Sequence, residues 1–357
     1  MVTLSKRSVG RIIRYAVVGM TFTALVIVLL SCGTGTPRTP NWQSAGGNLV
    51  WPQPPEKARI RFEGILRDEQ DLGRDKNLGE KIADVLLGKK PSEMVKPVAL
   101  ARNEAGLLAV VDPATPTVHL FDLTTRKYKR LTQKTASVLQ SPVGVAIDRE
   151  GKLYVSDSVR QRVFVFDSTL KLVATWGEGI LDRPTGLALS AKQDRLYVVD
   201  TVACRVVALN LSGEKLLDFG GKGVEKGQFN YPTYIATTSA DDICVADSLN
   251  FRIQVFDPQG KVKQCFGLPG DGAGDFARPK GLGVDSGGRI YVVDAAFENV
   301  QIFDPEGRLL LAFGSPGNGS GQFTLPCGLC IDSSDRIWVA DSFNRRIEVF
   351  RLLENVE

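Results

Sequence analysis

Residues 279–314, PKGLGVDSGGRIYVVDAAFENVQIFDPEGRLLLAFG, contain four short apolar segments separated by turn-forming residues. The segments are GLGVD, RIYVVD, VQIFD and RLLLAFG. Ser-Gly-Gly separates the first two segments and Pro-Glu-Gly separates the last two, and residues of these types favour tight turns between strands. The stretch therefore predicts a sheet of four short strands.

The same pattern occurs six times between residues 97 and 353. Its first proline recurs every 42 to 48 residues, at Pro97, Pro142, Pro184, Pro232, Pro279 and Pro326. The aspartate that ends its second segment recurs at Asp112, Asp157, Asp200, Asp247, Asp294 and Asp341. A four-stranded unit repeated at this period is typical of a propeller blade. We therefore predict an all-β fold, a six-bladed β-propeller of four-stranded antiparallel blades spanning 97–353.

The sixth copy ends before its fourth strand. An unpaired edge at that point would expose backbone donors and acceptors. Residues 58–66, ARIRFEGIL, alternate in polarity and lie outside every repeat. We predict that this segment pairs with the third strand of the last copy and closes the ring.

Asp247-Ser248-Leu249-Asn250-Phe251-Arg252-Ile253 and Asp341-Ser342-Phe343-Asn344-Arg345-Arg346-Ile347 resemble the NHL repeat, and the other copies resemble it more loosely. Residues 51–64, WPQPPEKARIRFEG, are similar to the first strand of bacterial six-bladed lipoproteins of this type. This resemblance implies a propeller with a binding role, but it does not imply one particular ligand.

The basic excess of the chain lies at its beginning. Residues 1–31 contain four basic and no acidic side chains, so the remainder has 44 − 4 = 40 basic and 40 acidic residues. We therefore expect no nucleic-acid partner. The basic segment is followed by an apolar run at 15–30 and by Leu29-Leu30-Ser31-Cys32. This order is typical of a secretory signal, and the last four residues resemble a lipobox.

We therefore predict a signal peptide at 1–31, lipidation of Cys32, and an extracytoplasmic, membrane-anchored protein. An uncleaved membrane anchor is the alternative. If the cell has an outer membrane, Gly33 after the cysteine favours anchoring there or on the periplasmic side. Residues 32–57 are predicted to be a flexible linker, with Trp42 and Trp51 as anchors. Residues 58–96 are predicted to hold the closing strand and a short helix at 78–87.

Strand order places the hairpins after the second strands and the links between blades on one face of the ring. We predict that this face binds a partner, because exposed aromatic and arginine side chains are common binding anchors. Phenylalanines that fill gaps between blades are the alternative. The candidates are Arg160, Asn250, Phe251, Phe297, Glu298, Asn299, Phe343, Asn344 and Arg345.

A glycine occurs two residues after the proline in four copies, where strands would crowd around the central channel. The first and fourth copies have Ala99 and Tyr234 instead. Tyr234 is therefore predicted to narrow or line the channel.

An Asp-x4-Arg pair recurs at the second-to-third strand hairpin, for example at Asp247 and Arg252. Either these charges bind an anion together, or each aspartate holds its own arginine and turn. Repetition in several blades favours the second interpretation. In the fifth copy Glu298 and Asn299 interrupt the pattern.

Few residues suit catalysis. His119 is the only histidine, so a multi-histidine zinc site of the kind found in some related lyases is excluded, and His119 is predicted to be structural. No catalytic residue, metal or cofactor is assigned. Cys327 and Cys330 form a CxxC sequence, but residues three apart on a strand point to opposite faces. With Cys204, Cys244 and Cys265 they make five cysteines after Cys32, so these five cannot all pair with one another.

The sequence thus favours a monomeric, lipid-anchored binding scaffold. The expected partner is a protein or a cell-envelope polysaccharide. The alternative is a lactonase-like, metal-dependent hydrolase with its site in the central channel. An RNA-binding module would need a basic stripe on one face.

Overall fold

The computed structural model describes residues 49–74, 79, 93–132 and 138–353, and they form a six-bladed β-propeller. The first blade consists of the strands Ala99–Arg102, Leu107–Asp112, Thr117–Asp122 and Lys127–Thr132. The second consists of Pro142–Ile147, Leu153–Asp157, Arg162–Phe166 and Leu172–Trp176. The third consists of Pro184–Leu189, Arg195–Asp200, Arg205–Asn210 and Lys215–Gly220. The next two consist of Pro232–Thr237, Ile243–Asp247, Arg252–Phe256 and Val262–Phe266; and Pro279–Val284, Ile290–Asp294, Asn299–Phe303 and Leu309–Phe313.

The sixth blade contains strands from both ends of the described chain. Leu329–Ile331, Arg336–Asp341 and Arg346–Leu352 form its inner part. Ile60–Leu66 then pairs antiparallel with Arg346–Leu352, which confirms the predicted closure. Val50–Trp51 adds a fifth strand that the sequence did not predict.

The closing strand belongs to the core. Ile60 and Leu66 are fully buried, and Phe62 packs edge-on against Phe350 with ring centroids 5.5 Å apart. On the opposite side of the strand, Glu63 accepts charged hydrogen bonds from Arg336, at 2.8 Å, and from Arg351. Apolar burial and ion pairs therefore both fasten the two ends of the chain together.

Six apolar clusters fill the wedges between neighbouring blades. Phe229, Phe276 and Phe323, from the links before three blades, are fully buried in these wedges. Trp176 and Phe313, at the ends of fourth strands, are also buried there. The nearly continuous apolar second strands are covered on both faces, as expected of sheets packed between two others.

The first strands of successive blades lie side by side around the channel, and the first strand of the sixth blade contacts that of the first. A Cβ atom on Gly144 would lie 2.0 Å from the carbonyl oxygen of Thr185 in the next blade. One on Gly281 would lie 2.4 Å from the carbonyl oxygen of Cys327. Glycine is therefore required at these positions because the backbones of neighbouring blades approach each other directly.

Minor elements complete the structure. There are short 3-10 helices at Glu69–Leu72 and Ser248–Asn250, and the two-residue strands Ser315–Pro316 and Gln322–Phe323 pair in parallel within a link. The described residues include no helix that is long and apolar enough to span a bilayer. The predicted signal peptide, the predicted lipidation site Cys32, Trp42 and almost all of the predicted helix at 78–87 lie outside the described residues.

Candidate functional site: the channel mouth and its face

The aspartate at the end of each second strand is buried and holds the chain just before the same blade begins. Asp157 accepts hydrogen bonds from the backbone amides of Gln140, at 2.6 Å, and Ser141, at 2.8 Å. Asp294 accepts from those of Ala277 and Arg278 in the same way. The six recurrent aspartates therefore fix the loops between blades, which explains why they recur with the proline.

The arginine of the Asp-x4-Arg pattern fixes the same loops. Nε of Arg346 lies 2.8 Å from Asp341, and its other nitrogens donate to the carbonyl oxygens of Asn318, Gly319 and Gln322. Arg252 bonds Asp247 and two link carbonyls in an equivalent way. Both arginines are mostly buried, so the structural interpretation of this pattern is confirmed for these two blades.

Four blades contain the Asp-x4-Arg pattern, at 157/162, 200/205, 247/252 and 341/346, and the first of these pairs is an exception. Arg162 pairs with the exposed Glu178 at 2.5 Å, and among the described residues no ion pair joins its side chain to that of Asp157. In the third blade Arg205 lies 3.3 Å from Asp200 and also donates to the carbonyl of Ile180. The same sequence signature thus produces contacts of very different burial.

In three blades the residue after the aspartate connects neighbouring blades, a role that the sequence did not reveal. The hydroxyl of Thr201 donates to the carbonyl of Pro232 at 2.7 Å, and that of Ser248 donates to Pro279 at 2.9 Å. Ser342 donates to Pro97, which joins the sixth blade to the first. In these three blades the hydroxyl therefore links the hairpin after the second strand to the first strand of the next blade, whereas Ser158 bonds Ser141 before its own blade.

The hairpins that begin with these residues surround the channel opening, and we call the side on which they emerge the mouth face. The second residue after the aspartate is at the tip of each hairpin and is exposed in all six blades. In four blades this residue is a large apolar one, which we call the apolar rim: Val159, Val202, Leu249 and Phe343. The exposed fractions of these four side chains are 51–56%. The tips of the remaining two blades are the small residues Ala114 and Ala296.

The mouth face collects most of the exposed apolar side chains of the described residues. Of the 13 large ones, eight lie in its hairpins and links, among them Tyr231, Val224 and Leu268. Four of the others, including Leu216 and Leu310, are on fourth strands at the outer edge. The apolar exposure is therefore concentrated on one side of the ring.

Five of the nine residues predicted for partner binding fall into two groups. Arg160, Phe343 and Arg345 are exposed. Asn250 and Asn344 are half-buried, and their amides donate to Gly223 and Gly317 carbonyls and to their own aspartates. The two asparagines thus hold link loops, and only the first group is free to project from the face.

Phe251, Glu298 and Arg345 occupy the same place, the last residue of the hairpin, with φ values of 53–57°. Phe251 is half-buried against the wedge between the fourth and fifth blades. A carboxylate oxygen of Glu298 accepts from the amide of Leu325 in the next link at 3.0 Å. Phe297 and Asn299 are half-buried, and Oδ1 of Asn299 has no hydrogen-bond partner among the described residues.

Tyr234 crosses the channel. Its hydroxyl donates to the carbonyl oxygen of Val98 at 2.8 Å, from the fourth blade to the first, which lie opposite each other in the ring. Burial raises the pKa of this phenol well above its ordinary value, and the thiol of Cys327 raises it further. Tyr234 is therefore a neutral donor, and its predicted position in the channel is where the structure places it.

A cavity of about 270 Å³ opens on the mouth side of Tyr234. Three charged side chains line it, Lys96, Arg183 and Lys280, and all are basic. They come from the first, third and fifth blades and each adjoins the proline that begins a blade. A separate cavity of about 200 Å³ lies at the other end of the channel and is lined by the ends of the first strands.

Comparison with known proteins agrees with this architecture. Residues 139–166 match the NHL repeat, and residues 226–295 and 284–355 match a family described as a 6-bladed beta-propeller. The chain is a six-bladed β-propeller, and part of it matches the NHL repeat.

Solved structures share the propeller fold at low sequence identity. A streptogramin B lyase is 13% identical, with a TM-score of 0.56 over 73% of this chain and 94% of the lyase. An auxiliary nutrient binding protein from Bacteroides thetaiotaomicron is 15% identical, with a TM-score of 0.57 over 73% of this chain and 70% of the other. A virginiamycin B lyase from Staphylococcus aureus is 15% identical, with a TM-score of 0.55 over 74% and 83%. Enzymes and a binding protein thus share this fold, and at these identities the likeness shows the fold alone.

The remaining candidate groups of the propeller have structural contacts. Nδ1 of His119 lies 2.9 Å from the hydroxyl of Tyr128, and its Nε2 lies 3.8 Å from buried Asp112. Burial alone would raise the pKa of Asp112, but His119 and the amides of Val95 and Lys96 outweigh it, so this pKa is lowered. The first-strand acids Asp148, Asp285 and Asp332 each accept from an aromatic side chain of their own blade.

The five described cysteines are free thiols. Burial raises the pKa of Cys244 to about 12 and raises that of Cys330 as well. Among the described residues, no group of three or more histidine, cysteine, aspartate and glutamate side chains is placed to hold a metal ion.

Proposed function

We propose that this propeller is a binding scaffold that presents its mouth face to a protein partner. The observation that supports this proposal is the apolar rim, a large exposed apolar side chain on the hairpin tips of four blades. Exposed apolar groups gathered on one side of a soluble domain mark an interaction surface more often than scattered ones do. The side chains at the hairpin tips are not needed to hold the loops, because buried aspartates and arginines already do so.

The rim favours a protein over a polysaccharide. Three of its four members are aliphatic, Val159, Val202 and Leu249, and aliphatic side chains suit apolar side chains of a peptide. Phe343 adds an aromatic anchor, and Nζ of Lys96 lies 5.2 Å from the centre of its ring. An apolar centre with adjacent cations is a common arrangement of interface hot spots.

Attachment to a membrane through lipid on Cys32 completes the proposal. It is supported by the basic and apolar segments before Leu29-Leu30-Ser31-Cys32. Labelling cells with a palmitate analogue should mark the protein, and Cys32→Ser should abolish the label and release the propeller from the membrane fraction. A labelled Cys32→Ser protein would exclude this anchor.

The partner surface is tested by capture from native membranes with two matched double variants. Leu249→Ser with Phe343→Ser removes two members of the rim, whereas Leu216→Ser with Leu310→Ser removes two equally exposed leucines of the outer edge. Proteins recovered with the unmodified chain are quantified by mass spectrometry. We expect a defined set to be lost with the rim variant and retained with the edge variant. Equal recovery by both variants would exclude the mouth face.

A further inference from the structure

We propose that the mouth cavity binds a carboxylate at the end of the partner's peptide chain. This inference rests on the proposed function, because it assigns the part of a protein partner that enters the channel. The cavity of about 270 Å³ has room for a terminal residue rather than for a folded segment. Its inner end is occupied by Tyr234, whose hydroxyl is already bonded to Val98.

The charges that line this cavity have one sign. Lys96, Arg183 and Lys280 approach it from alternate blades, and none of them forms an ion pair with a carboxylate among the described residues. Lys280 is half-buried, and the contact described for its Nζ is with Sγ of Cys327 at 3.6 Å. Lys96 and Arg183 are exposed, and Nζ of Lys96 lies 5.2 Å from the centre of the Phe343 ring at the rim. Cations of one sign that line a cleft attract an anion more strongly than the same cations on an open surface.

The aspartates near the mouth do not neutralise these cations within the cavity. Asp112 and Asp200 end the second strands behind Lys96 and Arg183, and neither lines the cavity. Both are buried, and their carboxylate oxygens accept hydrogen bonds from the backbone amides of the links. The side chains that do line the cavity are basic, hydroxylic, apolar or thiol.

The threonine hydroxyls that line the cavity already have partners, whereas the side chain of Tyr231 at its opening is exposed. Thr185 and Thr201 lie 2.8 Å apart, and Thr201 donates to the carbonyl of Pro232. The hydroxyl of Thr233 lies 2.6 Å from that of Ser248. Apart from the hydroxyl of Tyr231, the polar groups that the cavity offers to a ligand are its cations. Cations can donate but cannot accept, so the group that they select is an anion.

The apolar rim around the cavity identifies the anion's carrier. A peptide that ends in a free carboxylate would place its last residue in the cavity and its preceding side chains on Val202, Leu249 and Phe343. Arginine and lysine bind carboxylates through charged hydrogen bonds, which are about twice as strong as neutral ones. The geometry therefore suits an apolar peptide with a free C-terminus.

The test uses a mixed library of pentapeptides built only from uncharged residues, in two versions: one ends in a free carboxylate and the other in an amide. The chain of residues 1–357, purified in detergent, is mixed with each library, and retained peptides are counted by mass spectrometry. We expect about tenfold or greater enrichment of the carboxylate version, from the strength of charged hydrogen bonds. Equal retention of both versions would overturn the proposal.

Two matched variants locate the site. Arg183→Gln with Lys280→Gln should abolish the preference for the carboxylate, whereas Lys222→Gln with Arg278→Gln should retain it. The second pair is exposed on the same face but does not line the cavity. If the first double variant does not fold, Arg183→Gln alone replaces it, since Arg183 is exposed. A preference that survives the loss of these cations would overturn the proposal.

The rim variant, Leu249→Ser with Phe343→Ser, separates this inference from the proposed function. Suppose that the unmodified chain retains both libraries without a preference for the carboxylate, and that the rim variant retains neither. The mouth face then binds a protein, but the cavity is not an anion site. If the rim variant retains the carboxylate preference fully, the anion site stands without the rim. Stronger retention of an oligogalacturonate probe than of either peptide library would assign the carboxylate to a polysaccharide and overturn the choice of a peptide.

Discussion

The hydroxyl of Tyr234 donates to the carbonyl oxygen of Val98 across the whole channel, 136 residues apart in the chain. Tyr234 and Ala99 are the two positions that lack the glycine found in the other four first strands. They belong to opposite blades, so the large side chain of Tyr234 extends toward the first strand that has the small Ala99. The pair of departures is a single structural feature that spans the channel.

We expect Tyr234→Phe to lower the free energy of unfolding by about 1–2 kcal/mol, because the buried carbonyl of Val98 loses its donor. Tyr234→Gly, which restores the glycine, should cost about 3–5 kcal/mol because it also removes a packed aromatic ring. Urea unfolding followed by circular dichroism measures both. Tyr231→Phe, at an exposed position of the same mouth, is the control and should change stability by less than about 0.5 kcal/mol.

The closing strand should be indispensable. Phe62 is 1% exposed and packs against Phe350, so Phe62→Ala should cost about 3–5 kcal/mol. Deletion of residues 58–66 should unfold the whole ring, since the third strand of the last blade would lose its partner. Thermal melting of the shortened protein checks this, and a melting curve like that of the unmodified chain would refute it.

Two arginines with the same sequence signature should respond very differently to substitution. Arg346 is 4% exposed and bonds Asp341, Glu348 and three link carbonyls, so Arg346→Ala should cost about 3–5 kcal/mol. Arg162 pairs with an exposed glutamate, so Arg162→Ala should cost less than about 1 kcal/mol. Chemical unfolding of the two variants provides the comparison. Similar losses would show that the repeat signature outweighs burial.

Stability should fall as the pH rises above about 4.5. Burial raises the pKa of Glu348 to about 8, although Arg346 lies 2.9 Å away, because that arginine is shared with Asp341 and the link carbonyls. Between pH 4.5 and 8 the folded protein retains a proton that the unfolded chain releases. The unfolded state therefore binds fewer protons, and Glu348 alone lowers stability by at most about 1.4 kcal/mol per pH unit.

Glu348→Gln tests this dependence. The equivalent positions in the fourth and fifth blades are Gln254 and Gln301, which bond their own links, so a glutamine fits. Urea unfolding at pH 5, 6, 7 and 8 should give a flatter dependence for the variant than for the unmodified chain. Some slope should remain, since burial also raises the pKa of Asp341. Parallel curves would show that Glu348 is ionised throughout.

Repeat spacing was sufficient to predict six blades and their strand order, and the missing fourth strand of the last copy together with the alternation of residues 58–66 predicted the closing strand. The reason is that a blade repeats the same local requirements: alternation or apolar runs for strands, turn residues between them, and glycine where backbones meet. Val50–Trp51 was not predicted because two residues carry no periodicity, and Trp51 contacts Phe313 and Phe350 only in the assembled sixth blade.

Within the candidate site, the sequence predicted the face but did not separate side chains that bind from side chains that support. Asn344 and Phe343 are neighbours in a hairpin, yet one holds a link and the other is 55% exposed. That difference depends on the direction of each side chain at its position in the hairpin. The cations Lys96, Arg183 and Lys280 were missed altogether because they are more than 80 residues apart in sequence and meet only at the mouth.

The sequence by itself thus determined the number of blades, the segment that closes the ring and the face that carries the variable hairpins, since each follows from local, repeated requirements. Only the tertiary structure decided which exposed residues form the apolar rim, that Tyr234 bonds the opposite blade, and that three cations line one cavity. These relationships join residues of different blades, and their distances are set by closure of the ring rather than by any local sequence pattern.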